Sequence, residues 1–210
     1  MTTLEVPIAA SSYDTLVYWN GSGWSQILMV QEASAGYLSA GNDKVGVGLV
    51  FQNITIPRSA WVNNAYLKLT AFNTNAQEAV QSKIVGQKTA IPSNFSTLAD
   101  YQARRGTVVG GADNSLITLT VVEWLNIGAW VAGVEYNSPN IAAILNEIIH
   151  LPAWASGNSL GLFWDDHDGL STPVSDTIRR AASFDHATLT APVLHVEYEA
   201  NHGAFLSFLQ

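Results

Sequence analysis

The stretch Ile117-Thr-Leu-Thr-Val121 alternates apolar and hydroxyl-bearing residues, and this alternation decides the fold class. Successive side chains of a β-strand point to opposite faces, so Ile117, Leu119 and Val121 share one face. Thr118 and Thr120 share the other face. The pattern predicts a strand whose apolar face is buried and whose threonine face meets solvent. The β-branched residues that strands favour dominate it.

Runs of similar character recur along the whole chain, separated by glycine, proline, asparagine and aspartate. Short strands with frequent turn residues are typical of β-sandwiches and barrels. We therefore predict an all-β fold, a jelly-roll-like antiparallel β-sandwich with one or two short helices in its connections. The predicted strands cover residues 4–9, 15–19, 26–30, 45–54, 65–72, 81–87, 117–123, 160–165, 178–184 and 193–199.

Two connections are predicted to contain a helix. The first opens at Ser138-Pro139, since serine is a good N-cap and proline is tolerated in the first helical turn. Apolar residues then recur at helical spacing until Pro152, which ends the helix. The second predicted helix, over residues 97–104, has a weaker pattern.

The chain has 210 residues, of which 48% are hydrophobic, and this fits one large β domain. We predict a single domain over residues 1–200, followed by an apolar segment over 201–210. That segment either folds back onto its own domain or docks on a neighbouring subunit. Its predicted assembly contacts are Phe205, Leu206, Phe208 and Leu209.

A net charge of −8 disfavours nucleic acid as a partner, because phosphate contacts require clustered lysine and arginine. The charge also disfavours anionic membranes, and we predict no membrane insertion. Because cysteine is absent, any metal would need oxygen or imidazole ligands. The first residues lack the pattern of a signal peptide. We expect a virion or extracellular surface, reached by a route such as lysis.

No motif in the sequence favours catalysis. Gly157-Asn-Ser-Leu-Gly161 matches the G-x-S-x-G elbow of hydrolases, but the elbow needs a strand before the serine and a helix after it. Here an apolar strand follows, so a turn is the favoured interpretation. The histidines lack zinc-site spacing, and no local pair of carboxylates predicts a glycosidase. We predict that the chain is not an enzyme.

The densest polar cluster is Asp165-Asp-His-Asp-Gly169. Asp165, Asp166 and Asp168 could supply the oxygen ligands that calcium prefers, although their spacing is not that of an EF-hand loop. Asp-Gly is also a favoured turn dipeptide. A turn is the favoured interpretation, with a calcium site as the alternative, and no other cofactor is predicted.

Four aromatic residues are predicted to contact a carbohydrate or a protein partner. Trp19 and Trp24 flank a glycine-containing turn, Tyr37 lies beside a glycine, and Trp130 lies in a glycine-rich stretch. Exposed aromatic rings on loops stack on sugar faces or bind at protein interfaces. The alternative is that these rings cover the end of the sandwich.

Seven segments, taken in order, resemble the DNRLRE and disaggregatase-related group of carbohydrate-binding-like β-sandwich domains. The similarity spans nearly the whole chain up to Tyr198. It rests on IAASSYD (8–14), VGLVFQNITIP (47–57), AYLKL (65–69), SPNI (138–141), WASGNSL (154–160), RAASFD (180–185) and APVLHVEY (191–198).

The resemblance implies a jelly-roll-like accessory module of secreted or surface proteins, some of which bind polysaccharide. It implies no catalytic residues, and it suggests a structural ion pair between Arg180 and Asp185.

Three functions follow from the sequence. The foremost is a non-catalytic structural or attachment protein of the phage-decoration type. Such a protein would assemble with other subunits as a homo-oligomer or in a capsid or tail lattice. The alternative is a stand-alone carbohydrate-binding module for cell-surface polysaccharide, and the third is a polysaccharide-acting enzyme.

Overall fold

The computed structural model describes residues 1–38 and 43–200. The segment 201–210 lies outside the described residues. The predicted assembly contacts fall in that segment and stay predictions: Phe205, Leu206, Phe208 and Leu209.

The described residues form twelve strands, two α-helices and two 3-10 turns. The helices are α1 (Leu98–Arg105) and α2 (Ala142–Ile149), and the 3-10 turns are Ser11–Tyr13 and Thr107–Val109. The strands are β1 (Thr2–Pro7), β2 (Asp14–Trp19), β3 (Trp24–Ile27), β4 (Glu32–Tyr37), β5 (Lys44–Ile54), β6 (Trp61–Thr70), β7 (Val80–Gln87), β8 (Ile117–Ile127), β9 (Glu135–Asn137), β10 (Asn158–Asp165), β11 (Ile178–Ala182) and β12 (Val193–Glu199).

The strands form two antiparallel sheets. The smaller sheet has the order β1-β12-β6-β9, and the larger has the order β11-β4-β5-β10-β7-β8. Strand β2 joins the larger sheet beside β5, and β3 pairs with β2 as a hairpin. The predicted all-β sandwich with two short helices is therefore confirmed. No helix among the described residues has the length and apolar character needed to cross a membrane.

The main core lies between the two sheets, and a second apolar cluster covers the outer face of the larger sheet. Leu162 and Trp164 of β10 belong to the main core, whereas Phe163 between them belongs to the outer cluster. This alternation follows from the two-residue period of a strand. Tyr101 of α1 and Val109 of the 3-10 turn Thr107–Val109 also belong to the outer cluster. The candidate functional site lies beside this cluster.

Strand β8 alternates as predicted, but the predicted burial of its faces is wrong. Leu119 is 86% exposed and Val121 is 44% exposed, while Thr118 is buried. The Thr118 hydroxyl accepts a hydrogen bond from the Gly86 N–H and donates one to the Thr120 carbonyl, so the threonine can be buried at little cost. Leu119 and Val121 therefore point away from the core, whereas Val122, Trp124 and Ile127 of the same strand pack into or against it.

Two strands were not predicted, β4 and β9. Strand β4 reads Glu-Ala-Ser-Ala-Gly-Tyr and is mostly buried, so it shows no alternation of polar and apolar residues. Strand β9 has only three residues. Small residues and short length leave no periodic signal.

Both predicted helices are present, but Ser138 is not the N-cap of α2. Helix α2 begins at Ala142, whose N–H donates to the side chain of Asn140. The Ser138 hydroxyl instead accepts from the Leu67 N–H of β6. The implied Arg180–Asp185 pair is also wrong, because Arg180 pairs with Glu32 and Asp176.

Helix α2 joins the two sheets through two adjacent side chains. The Asn146 amide accepts from the Val62 N–H of β6 and donates to the Val62 carbonyl, at 3.0 and 2.9 Å. The Glu147 carboxylate accepts from the N–H groups of Leu119 and Thr120 in β8, at 2.9 and 3.1 Å. One face of α2 thus takes the place of a neighbouring strand for both sheets.

Candidate functional site

A pocket of about 220 Å³ opens beside the outer cluster of the larger sheet. We call it the tryptophan pocket. Its walls come from the β2–β3 hairpin, the start of β5, the 3-10 turn Thr107–Val109 and the loop after β10. The lining side chains are Trp19, Trp24, Lys44, Val108 and His167.

The two tryptophans face each other across the β2–β3 hairpin. Trp19 and Trp24 are directly paired, and their ring centroids are 5.5 Å apart in an edge-to-face arrangement. The turn between them is fixed by the Asn20 side chain, which accepts hydrogen bonds from the N–H groups of Ser22 and Gly23. Both tryptophans are partly exposed. A tight, internally bonded turn therefore holds two aromatic rings at the pocket.

His167 forms the buried wall of the pocket and is 1% exposed. Its Nε2 lies 3.0 Å from the Tyr101 hydroxyl, and its ring meets Trp24 edge-on at 4.8 Å. Among the described residues, Nδ1 has no hydrogen-bond partner. Burial lowers the pKa of His167 to about 4 and raises the pKa of Tyr101, so both groups are uncharged at neutral pH. When Tyr101 donates to Nε2, the imidazole hydrogen lies on Nδ1.

A buried ion pair positions His167. Arg105 Nε and Nη2 donate to the two Asp165 carboxylate oxygens at 2.6 and 3.1 Å. Asp165 also accepts from the His167 backbone N–H at 3.3 Å. Burial raises the pKa of Asp165, but the charge and hydrogen bonds of Arg105 together with the groups of His167 outweigh it, so the pKa is lowered. The carboxylate therefore stays ionised and fixes the start of the loop that carries His167.

Gly46 of β5 provides the space for this arrangement. A Cβ at position 46 would lie 2.1 Å from the Asp165 Cβ and 2.7 Å from His167 Nε2. Any larger residue would displace both side chains. Glycine inside a strand often marks a close approach by another group. The sequence contains that signal at Gly46, but only the structure identifies Asp165 and His167 as the groups that approach.

Lys44 is distinctive among the nine basic residues of the chain. Six of them pair with carboxylates: Lys68, Lys83, Lys88, Arg104, Arg105 and Arg180. Arg58 and Arg179 donate to backbone carbonyls. Within residues 1–38 and 43–200, Lys44 has neither an ion pair nor a hydrogen bond from its ammonium group. The pocket therefore contains a lysine that forms no salt bridge within the described residues.

The predicted calcium ligands are held by three different partners. Asp165 pairs with Arg105, and Asp168 pairs with Lys83 at 2.9 Å. Asp166 accepts from the N–H groups of Leu170 and Ser171, which closes the turn. The part of the chain that the structure describes has no group of three side chains suited to hold a metal ion. The arrangement fits the turn interpretation.

Two of the four predicted contact aromatics are buried, which corrects that prediction for them. Trp130 is 2% exposed and stacks on Tyr136 at 4.8 Å within the main core. Tyr37 is 4% exposed because β4 is covered on both faces. Glycine neighbours indicated loops at these positions, but one residue is in a strand and the other packs against the core. Only Trp19 and Trp24 remain as contact candidates.

The G-x-S-x-G motif is not a nucleophile elbow. Ser159 lies in β10, and Gly157 provides the positive φ of the turn before it. Sequence reasoning did not assign Lys44, Val108 or Tyr101 to a site, because they lie in segments far from the tryptophan hairpin.

A scan against models of known protein families and a search among curated proteins both returned no match to this chain. The resemblance to DNRLRE and disaggregatase-related domains stays a prediction.

Proposed function

We propose that the chain is a non-catalytic attachment domain of a virion or extracellular surface, and that it binds an acidic saccharide in the tryptophan pocket. One observation carries the proposal. Two partly exposed indoles in edge-to-face contact lie beside Lys44, whose ammonium group has no partner within the described residues.

The indoles suit the apolar face of a sugar ring. Two aromatic rings in contact gain about 0.5–1.5 kcal/mol beyond the area that they bury, and we expect a similar gain for a sugar ring on an indole. A volume of about 220 Å³ is small for an enclosed ligand site. It fits one sugar ring at a time, as in the side-on binding of a polysaccharide.

Lys44 favours a carboxylate on that sugar. The rest of the chain is acidic, with a net charge of −8, so an unpaired ammonium is a local exception. A partly exposed pair of charges contributes only about 0–1 kcal/mol to affinity, but it sets which ligand is accepted. A uronic acid combines the apolar ring face and the carboxylate that this pocket can contact.

The remaining groups of the pocket support binding rather than catalysis. His167 and Tyr101 are uncharged at neutral pH because burial shifts their pKa values away from it. Asp165 is neutralised by Arg105. Glycoside hydrolysis usually needs two carboxyl groups that face the scissile bond. No carboxylate belongs to the described lining of this pocket.

The test is a calorimetric titration with hexamers of galacturonic, mannuronic and glucuronic acid, each compared with its neutral counterpart. We expect at least one acidic hexamer to bind more tightly than its neutral counterpart. Trp19→Ala should weaken that binding by about tenfold, and Lys44→Gln should weaken it by up to about fivefold. Lys88→Gln, which removes a lysine outside the pocket lining, is the matched control. Equal affinity of wild type and Lys44→Gln would refute the acidic ligand.

A second candidate function is assembly with other copies of the chain. The observation is a strip of exposed apolar side chains on and next to β8, the last strand of the larger sheet. Exposed apolar patches on sheet edges are typical of protein interfaces. The strip comprises Leu116, Leu119, Val121 and Leu125.

Light scattering on a sizing column tests the assembly function. If copies of the chain associate through the strip, Leu119→Ser should lower the mass, and Leu116→Ser should lower it less because Leu116 is less exposed. A monomeric wild type would exclude this function for the isolated chain. Deletion of residues 201–210 is a separate comparison, and it should lower the mass only if that segment docks on a neighbour.

A further inference from the structure

We infer that an apolar groove beside β3 binds the C-terminal segment, residues 201–210, of a second copy of the chain. The groove has a volume of about 230 Å³, and its walls come from β2, β3, β4, β5, β11 and the residues beside them. We call it the β3 groove. Apart from Glu32, every side chain of its described lining is apolar or aromatic.

The β3 groove is apolar from its buried part to its rim. Leu16, Val45 and Ile178 form the buried part, whereas Ile27 and Leu38 at the rim are 40% and 38% exposed. Exposed apolar side chains that lie together mark sites of interaction. The volume is below the range of about 300–1,000 Å³ that is usual for small-molecule sites. The groove therefore suits single apolar side chains of a peptide.

The connection from β3 to β4 has an unfavourable backbone conformation at this rim. Met29, which lies between the lining residues Ile27 and Val30, has a φ of 57° and is 72% exposed. The left-handed region is unfavourable for a residue with a side chain, and such residues cluster at binding sites. The Ser183 hydroxyl donates to the Val30 carbonyl and fixes the connection. The rim is thus held with apolar side chains in solvent.

The segment 201–210 lies outside the described residues, but its sequence matches the groove. Apart from His202, none of its side chains is ionisable. Glu32, the only carboxylate of the described lining, already pairs with Arg180 at 3.3 Å. The groove therefore favours an uncharged peptide with apolar anchors, since single large side chains in a pocket dominate binding. The anchors of the segment are Phe205, Leu206, Phe208 and Leu209.

The described chain ends far from the β3 groove. Ala200 lies beside the start of β6, because its carbonyl accepts from the hydroxyl of Ser59, two residues before β6, at 3.2 Å. The groove lies past the other end of β6. There the side chain of Asn75, five residues after β6, donates to the Asp176 carbonyl at 3.0 Å. Asp176 is two residues from Ile178 of the groove.

The length of β6 decides which copy supplies the segment. Its ten residues separate the two places by about 33 Å, at about 3.3 Å per residue. Fully extended, the chain from Ala200 covers at most about 18 Å to Phe205 and about 32 Å to Leu209. The segment falls short of the groove of its own copy, whereas the segment of a neighbour has no such limit. Docking is therefore head to tail, which builds rings or filaments.

This inference rests on assembly of the chain, the second candidate function above. It does not rest on saccharide binding, because the β3 groove shares no residue with the tryptophan pocket. It adds to the assembly function a defined contact, in which each copy gives its segment to one neighbour and receives the segment of another.

The experiment combines two variants of the full-length chain. Ile27→Glu keeps the segment but places a charge in the groove, and the deletion of 201–210 keeps the groove but removes the segment. Each variant alone should self-associate at least about tenfold more weakly than wild type in light scattering, since a buried carboxylate or a missing anchor removes half of the contact. Mixed in equal amounts, the two should form a dimer and nothing larger, because only one groove and one segment can pair.

The matched control is Ile91→Glu. It makes the same change at an isoleucine that is 70% exposed and is not part of the described groove lining, so it should associate as wild type does. Leu38→Glu is a second variant of the rim and should act as Ile27→Glu does. Leu119→Ser, introduced into both members of the mixture, should leave the dimer intact, which separates the β3 groove from the strip on β8.

Three results would overturn the β3 groove as the docking site. The first is that the mixture of the two variants stays monomeric. The second is that Ile27→Glu and Leu38→Glu, folded by circular dichroism, associate as tightly as wild type. The third is a monomeric wild type whose melting temperature falls on deletion of 201–210, which would place the segment on its own copy. A monomeric wild type removes the assembly function as well, whereas the first two results in an associating wild type remove only the groove.

Discussion

Arg105 and Arg179 are both buried, yet the structure compensates their charges in different ways. Arg105 forms an ion pair with Asp165 beside the tryptophan pocket. Arg179 donates to the backbone carbonyls of Gly128, Ile127 and Ile178, among others, and the described residues give it no carboxylate partner.

The difference shows in the pKa values. Burial lowers the pKa of Arg105, but the Asp165 carboxylate more than offsets this and raises it. Burial lowers the pKa of Arg179 to about 10. Carbonyl dipoles satisfy the N–H groups of a guanidinium but replace water only in part. Near the pocket, an ion pair holds the side chains in position. At Arg179, one cation holds several loop segments together through hydrogen bonds to their carbonyls.

The largest expected effect is that of Arg105→Met. The change leaves the Asp165 carboxylate buried without its counter-ion, and this costs about 3–5 kcal/mol of unfolding free energy. Urea denaturation measures the loss. Adding Asp165→Asn removes the stranded charge and should restore part of the stability. If the double variant were no more stable than Arg105→Met, the ion pair would not be the source of the effect.

Asp14 extends the comparison to a buried acid to which the described residues give no cation partner. Burial raises its pKa to about 7, the Phe184 N–H opposes the shift, and the charge of Asp185 adds to it. The folded state thus keeps a proton that the unfolded chain releases near pH 3.8. Its stabilising contribution is complete below that pH and is lost as the pH rises toward 7, a change of roughly 4 kcal/mol.

Asp14→Asn should remove the part of the pH dependence of stability that comes from Asp14. His167 acts in the opposite direction, since its pKa is lowered to about 4 and its contribution grows as the pH rises from there to about 6.5. The variant should therefore gain stability relative to wild type between pH 4 and 7. Thermal melts across this range measure the difference. A constant difference would show that Asp14 does not titrate there.

Arg179→Met should cost less than Arg105→Met, about 2–3 kcal/mol, because the carbonyls that it releases can be hydrated once the loops move apart. No single second substitution should rescue it, since its partners are backbone carbonyls apart from the Asn75 side chain at 3.5 Å. The same urea series tests this. A cost above that of Arg105→Met would reverse the comparison.

The smallest expected effect is that of Glu147→Gln. The carboxylate has two oxygens that each accept from one β8 N–H group, whereas the amide of glutamine has one oxygen. One hydrogen bond is therefore weakened, and we expect the unfolding free energy to fall by about 1 kcal/mol. Denaturation by urea is precise enough to detect it. A Glu123→Gln variant is the control, because it is on β8 and carries the same change of charge.

Much of the fold could be predicted because its signals are local. Alternation located strands such as β8, and the helical spacing of isoleucines located α2. The alternation of apolar and polar residues indicates which side chains share a face of the strand. Whether that face is buried depends on which elements pack against it. The face of Leu119 was therefore assigned wrongly. Strand β4, made of small residues, carries no such signal.

The site could be predicted only where its residues are close in sequence. Trp19 and Trp24 belong to one hairpin, so their shared position followed from the turn between them. His167 and Tyr101 are 66 residues apart, and their hydrogen bond exists only because α1 packs over β10. Pairings of this kind depend on the tertiary fold and leave no pattern in the sequence.

The contacts of α2 also link the hydrogen-exchange behaviour of the two sheets. The amide protons of Val62 and Leu119 belong to different sheets, yet both are protected by adjacent side chains of one helix. Detachment of α2 would expose both amides in the same event. Local opening of this kind proceeds in cooperative units. Both protons should then exchange with solvent deuterium at a common opening free energy, and α2 would be the unit that sets it.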